Sequence, residues 1–331
     1  MSKVAVIGTG GTISSVGRDK FDQVNYTETG RKYDAAELID WFSEVRDAAE
    51  VVPVPFRAVS STAVGTGEWL ELVALIHDLT DKDPALDGIV VTHGTATLEE
   101  TAYFLNLTVK TDVPVVLVGA QRPASAFGAD GGMNLYNAIR VAGSPEARGL
   151  GVLVVLNDEI QAAREVTKTS TYRLQTFRTP DFGVLGHADG DGSIALYRRP
   201  TRRHAPDTEF DVSGLTELPR VDILASYAGS DGVAVDAYLT AGARGVVSAG
   251  MAPGSGTPAD VAALERAIEQ GVVVVQSTRA GSGRVLTGKI RSVKGSVAGD
   301  NLNPQKARIL LMLALTRSSD PAEIQQMFET Y

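Results

Sequence analysis

The chain has 331 residues, more than a single core ordinarily organises, so two domains are expected. Hydrophobic residues at 44% and charged residues at 21% exclude a disordered or fibrous chain, and a net charge of −9 gives a surface that repels phosphate backbones and anionic headgroups, so neither nucleic acid nor membrane is expected as a partner. With no cysteine, disulfides and thiolate chemistry are excluded and only oxygen and nitrogen groups remain for catalysis.

The chain runs from Met1-Ser2-Lys3 into the short apolar run Val4-Ala5-Val6-Ile7 and then into turn residues. That run is too short for a signal peptide, and no stretch approaches the roughly 18 apolar residues of a membrane span, so a cytoplasmic protein is expected. Short, continuously hydrophobic, β-branched runs follow at 3–7, 51–59, 88–91, 113–118 and 151–156, as in strands buried on both faces. Segments of helical period at 35–46, 66–79, 97–108 and 132–142 lie between them, the crossovers that parallel strands require. The pattern predicts a doubly wound α/β domain with a mainly parallel sheet over residues 1–197, ending in a glycine-rich hairpin at 181–197. Residues 198–218 carry Pro200, Pro206 and the basic tract Arg198-Arg199-Pro200-Thr201-Arg202-Arg203-His204, which is linker composition. A smaller α/β domain is predicted over 219–331, with strands at 221–225, 245–248 and 272–276, helices at 232–241 and 258–270, and two closing helices that start near Pro304 and Pro321.

Three polar segments follow predicted strands. The first, Gly8-Thr9-Gly10-Gly11-Thr12-Ile13, lies just past a strand end, where open α/β sheets bind their ligands. A dinucleotide fingerprint would need its third glycine where Ile13 stands, so no nucleotide cofactor is expected; a tight turn with no ligand also suits these residues. The second is Thr92-His93-Gly94-Thr95-Ala96-Thr97-Leu98-Glu99-Glu100-Thr101, where Thr95 or Thr97 can cap a helix and backbone N–H groups can hold an anion or oxyanion. His93 has no adjacent carboxylate and is expected to pack against backbone rather than act as a base. The third is Val166-Thr167-Lys168-Thr169: in a crevice, desolvation would depress the Lys168 pKa and suit it to general-base work, and otherwise it is a surface lysine. The four histidines, at 77, 93, 187 and 204, share no metal-type spacing, and no metal is expected.

Together these three segments resemble the signatures of the bacterial-type L-asparaginase and glutaminase-asparaginase family. The likeness continues through Val118-Gly119-Ala120-Gln121-Arg122-Pro123, Asp130-Gly131-Gly132-Met133-Asn134-Leu135-Tyr136-Asn137, Asn301-Leu302-Asn303-Pro304-Gln305-Lys306-Ala307-Arg308 and the terminal Gln325-Gln326-Met327-Phe328. The resemblance implies that Thr12 attacks an amide carbonyl, expels ammonia and forms an acyl-enzyme that water hydrolyses. It implies further that Tyr26 closes beside Thr12 from a mobile loop, that Lys168 serves as base beside Thr95, and that the Thr95 N–H steadies the oxyanion. Gly11, Ser61, Thr62, Gly94 and Ala96 would contact substrate, and a homotetramer built as a dimer of dimers is implied.

Four positions depart from the family pattern. Ala96 stands where the family has an aspartate that binds the substrate ammonium and holds the lysine, and Thr62 stands where a glutamine is common. Pro253 replaces an asparagine, and between Ser277 and Asn303 the only acid is Asp300, so a glutamate supplied by a neighbouring subunit is missing. Each change removes a group aimed at the amino-acid end of the substrate, whereas the groups aimed at the amide remain. Three expectations follow: hydrolysis of L-asparagine to L-aspartate, hydrolysis of an amide or related acyl compound lacking a free α-amino group, and a non-catalytic small-molecule sensor. A sensor has no need of nucleophile and base together, which favours the hydrolases.

Overall fold

The structure, a computed structural model, describes residues 1–286 and 293–331. The chain divides into two compact units, Met1–Thr208 and Glu209–Tyr331.

The first unit is built on strands β1 (Lys3–Gly10), β2 (Glu50–Val59), β3 (Gly88–Thr92), β4 (Val115–Val118), β5 (Leu153–Leu156) and β6 (Glu159–Ala162). Two short strands, β7 (Thr167–Lys168) and β8 (Phe177–Arg178), pair antiparallel as a separate ribbon, and β9 (Gly186–Ala188) and β10 (Ile194–Leu196) form the expected hairpin. The main sheet has the order β10-β9-β6-β5-β4-β3-β1-β2, parallel from β2 to β5 and antiparallel beyond. The reversal into β6, a strand that the sequence reading does not include, is made by Asn157 and Asp158 at φ 54° and 64°. Those are the left-handed conformations that a two-residue hairpin turn requires and that Asn and Asp tolerate best.

Helices α1 (Ala35–Trp41), α2 (Thr66–Lys82), α3 (Leu98–Thr108) and α4 (Gly131–Ala142) supply the crossovers. α1 opens on a reciprocal cap, in which Asp34 accepts from the Glu37 N–H at 2.9 Å and Glu37 accepts from the Asp34 N–H at 3.0 Å. It stops at Phe42 (φ −110°, ψ 56°), short of the predicted residue 46, and the chain continues as a 3-10 turn over Ser43–Asp47. Val4, Val6, Val90 and Val116 share a buried cluster with Leu38, Ile39, Leu135 and Ile139, while Ala5, Ile7, Ile89 and Val91 are equally buried. The central strands are covered on both faces, which is why their sequences are continuously apolar.

The segment 198–218, read as a linker, is tied down within the two units. In the first unit, Arg198 pairs with Glu165 at 2.6 Å, the Ala205 N–H donates to the Asn106 carbonyl at 2.8 Å, and Thr208 Oγ1 donates to the Leu107 carbonyl at 2.6 Å. In the second, Phe210 is buried with its ring centroid 4.9 Å from that of Tyr331. Proline and charge suggested a tether, but these long-range contacts carry no local signature.

The second unit holds the parallel sheet β11 (Val221–Ala225), β12 (Gly245–Gly250), β13 (Val273–Thr278) and β14 (Val297–Ala298) in that order. Its helices are α5 (Val233–Thr240), α6 (Pro258–Glu269), α7 (Pro304–Ala314) and α8 (Pro321–Thr330). The last three begin with proline after a side-chain cap from Thr257, Asn303 and Asp320, respectively.

Candidate active site

β1 lies between β2 and β3, and the carboxyl ends of all three strands meet at one crevice. Beyond β1 the backbone turns through Gly10 and Gly11 at φ 96° and 84°. A Cβ on Gly10 would fall 2.4 Å from the Val59 carbonyl oxygen, and one on Gly11 would fall 2.2 Å from the Gly94 Cα. Glycine is required here both for conformation and for the close approach of the turn after β3. The Gly11 N–H donates to the Val59 carbonyl at 3.0 Å, while Ser14 and Ser15 hydroxyls donate to the Gly11 carbonyl at 3.1 and 2.8 Å. This lattice fixes Thr12 at the start of a 3-10 turn, Thr12–Ser14.

Tyr26 comes from the loop that leaves after Ser15. That loop is closed at its base by Val16 N–H to the Arg31 carbonyl (3.0 Å) and Tyr33 N–H to the Ser14 carbonyl (2.8 Å). Thr29 Oγ1 donates to the Val16 carbonyl at 2.6 Å. Within this frame the Tyr26 and Thr12 hydroxyls lie 2.8 Å apart.

The turn after β3 carries the second pair. Lys168 Nζ lies 2.6 Å from Thr95 Oγ1 and 3.2 Å from Gln121 Oε1. Burial lowers the Lys168 pKa below its usual value, and the negative charge of Glu99 partly opposes the shift. Glu99 acts from a buried position and accepts the Lys168 backbone N–H at 3.3 Å. Thr97 stands at the cap position of α3, but neither it nor Thr95 caps the helix as expected. Thr97 Oγ1 instead donates to the Ser61 carbonyl at 2.9 Å, anchoring the turn Ser61–Ala63, and the Thr95 hydroxyl is engaged by Lys168.

His93 packs as the sequence reading expects. Trp69 Nε1–H donates to Thr101 Oγ1 at 2.9 Å, so the Thr101 hydroxyl hydrogen is directed to His93 Nε2 at 2.9 Å, which leaves Nδ1–H to donate to the Gly94 carbonyl at 2.8 Å. Desolvation lowers its pKa from 6.5 to about 4, so the ring is neutral and serves to hold the Gly94 peptide.

A pocket of about 300 Å³ collects all nine predicted site residues: Gly11, Thr12, Tyr26, Ser61, Thr62, Gly94, Thr95, Ala96 and Lys168. It also gathers Ser15, Gln23, Val24, Thr27, Lys32, Ser60, Gln121, Thr171 and Tyr172, none of which was singled out. Gln121 lay within a matched motif, and its polarity directly after the apolar β4 was the available signal. Lys32 and Tyr172 sit in loops without periodicity and gave none. No carboxylate is among the described residues that line the pocket. Pro253 and Asp300 belong to the second unit, where Asp300 is paired with Arg284. Residues 287–292, part of the stretch surveyed for an acid between Ser277 and Asn303, lie outside the described residues.

Residues 3–202 match the family described as "Asparaginase, N-terminal", and residues 220–328 match the "Glutaminase/Asparaginase C-terminal domain". The chain belongs to the asparaginase family. L-asparaginase 2 of Bacillus subtilis (strain 168) is 45% identical over 100% of this chain and 87% of its own length. L-asparaginase 2 of Escherichia coli (strain K12) is 41% identical over 100% of this chain and 94% of its own. The crystal structure of the probable cytoplasmic L-asparaginase of Campylobacter jejuni superposes with a TM-score of 0.94 at 42% identity, covering 100% of both chains. This asparaginase-family chain is an amidohydrolase acting on linear amides.

Proposed function

We propose that the chain hydrolyses the side-chain amide of a small molecule of the L-asparagine class, with Thr12 as nucleophile. The observation that carries this reading is the convergence of two pairs, the Thr12 and Tyr26 hydroxyls and the Thr95 hydroxyl with the Lys168 amine, on one pocket. Thr12 Oγ1 attacks the amide carbonyl while Tyr26 holds its hydroxyl in line. The Thr95 backbone N–H, near the start of α3, receives the developing oxyanion. Lys168, when neutral, accepts a proton through the Thr95 hydroxyl and returns it to the departing ammonia; water then follows the same path and releases the acid. A base must be deprotonated to act, so activity rises with pH through the Lys168 pKa, and burial moves that rise toward neutrality.

The absence of a carboxylate among the described pocket residues supports a second reading, in which the preferred substrate lacks an α-ammonium group. Lys32 and Lys168 line the pocket, and with Ala96 in the wall an ammonium would meet two amine side chains and no carboxylate among the described residues. Losing one charge-assisted hydrogen bond of about 1.5–3 kcal/mol corresponds to roughly ten- to hundredfold in affinity. Ammonia release from L-asparagine, L-glutamine and succinamic acid tests both readings. A higher kcat/KM for succinamic acid supports the shifted specificity, a strong preference for L-asparagine refutes it, and no release from any amide removes the hydrolase reading in favour of a sensor.

The same proposal includes a homotetramer, implied by the resemblance and tested by sedimentation. It also places the chain in the cytoplasm, the location named for the Campylobacter jejuni relative, which cell fractionation tests.

A further inference from the structure

Among the described residues, Lys168 Nζ has two hydrogen-bonding partners, the Thr95 hydroxyl and the Gln121 side-chain carbonyl, and neither is a carboxylate. The Phe177 ring lies beneath it, with the centroid 5.9 Å from Nζ. Gln121 is held firmly. Its backbone N–H and that of Arg122 donate to the two oxygens of Asp130, each at 2.9 Å. Asn134 Nδ2 donates to the Gly119 carbonyl at 3.0 Å and to Asp130 at 3.2 Å. The turn after β4 is thus fastened to the first turn of α4, and Gln121 as a residue is 9% exposed.

The orientation of the Gln121 amide is informative. An ammonium can only donate, so the amide oxygen must face Lys168, and this leaves Nε2 buried with no protein acceptor among the described residues. A buried amide N–H without an acceptor is destabilising, and an apolar side chain of the same length would fill the space without that penalty. The compensating contact is the one to Lys168.

We propose that Gln121 is a positioning residue for this reaction: its side-chain carbonyl holds Lys168 Nζ against the Thr95 hydroxyl while adding no negative charge to the site. The proposal rests on the reading of Lys168 as base. A carboxylate in this place would fix the amine and also stabilise its proton, whereas a neutral acceptor fixes it and leaves the proton easier to lose. Glu99 is the charged group that acts on Lys168 in the structure, and it does so from beside the backbone; among the described residues Lys32, Tyr26 and Tyr172 are the other titratable groups on the pocket wall.

Two substitutions separate positioning from charge, read through kcat/KM and kcat against pH for ammonia release from L-asparagine and succinamic acid. Gln121→Met keeps the length but frees Nζ: kcat should fall by about ten- to hundredfold, as for a reacting group displaced by about an ångström, with KM little changed and the acid limb at the wild-type pH or below. Gln121→Glu keeps an acceptor and adds charge: the acid limb should move up by about one pH unit or more, lowering activity at pH 7 and restoring it at alkaline pH. The Glu variant also provides the test if the Met variant fails to fold, which thermal melting would show. Wild-type kcat and superimposable acid limbs in the folded variants would overturn the proposal. Lys168→Met distinguishes its failure from that of the underlying reading: an active Lys168→Met enzyme removes Lys168 as base, whereas an inactive one beside unaffected Gln121 variants removes Gln121 alone.

Discussion

Replacing Gly11 with alanine probes the contact on which the site is built. Gly11 has φ 84° and ψ −172°, a region open essentially to glycine, so any side chain there costs on the order of 1–3 kcal/mol in backbone strain. The new Cβ would lie 2.2 Å from the Gly94 Cα, 2.3 Å from the Gly94 nitrogen and 2.9 Å from the His93 carbonyl carbon, all of them backbone atoms held by the β3 end. Nothing flexible can give way, so the two turns must separate by about an ångström, at roughly 1–3 kcal/mol more. The sum, about 4 kcal/mol, corresponds to a fall of about 10 °C in the melting temperature of a unit this size. Separating Thr12 from Thr95 by that distance should lower kcat by about a hundredfold even in the folded enzyme. Circular dichroism melting and ammonia release measure the two effects. Gly67→Ala is the control: Gly67 lies in the first turn of α2, its added Cβ would meet nothing within 4 Å, and the change should be neutral or stabilising by up to about 1 kcal/mol. A Gly11→Ala enzyme that melts within about 2 °C of wild type and keeps its kcat would refute the reasoning.

Two further outcomes are expected. His93 is neutral in the fold with a pKa of about 4 against 6.5 when unfolded, so the unfolded state gains its proton first as pH falls. Stability should be unaffected by this group above about pH 7 and should decrease by about 3 kcal/mol between pH 6.5 and 4; urea unfolding at both ends of that window should show a smaller decrease for His93→Gln, and an equal decrease would contradict the assignment. Ala96→Asp puts a carboxylate on the pocket wall and should raise kcat/KM for L-asparagine relative to succinamic acid by about tenfold or more; an unchanged ratio would mean that the substrate ammonium does not approach position 96.

Much of this architecture was legible before the structure because its cause is local. The parallel strands are apolar throughout since both faces are covered, and Pro258, Pro304 and Pro321 mark helix starts since proline suits a first turn. Thr12 and Thr95 could be picked out because each follows a strand end, and strand ends of one sheet share a crevice, whereas Lys168 lies in the separate β7-β8 ribbon and stood out only as a lysine among threonines. What stayed hidden depends on partners distant in sequence. Thr97 had a helix cap available locally, but the Ser61 carbonyl, 36 residues away, takes its hydroxyl. Gln121 meets Lys168 across 47 residues, and residues 198–218 have linker composition because nothing local records the contacts that Arg198, Thr208 and Phe210 make. The early end of α1 at Phe42 belongs to the same class, since the helical spacing of its apolar residues continues past the break.

The central claim is that Thr12, rather than Thr95, carries the acyl group. Mixing the enzyme with L-asparagine or succinamic acid, quenching in acid within milliseconds and mapping peptides by mass spectrometry tests it directly. The account predicts an acyl mass increment on the peptide containing Thr12, abolished by Thr12→Ala. An increment on the Thr95 peptide, or full turnover by a folded Thr12→Ala enzyme, would contradict it.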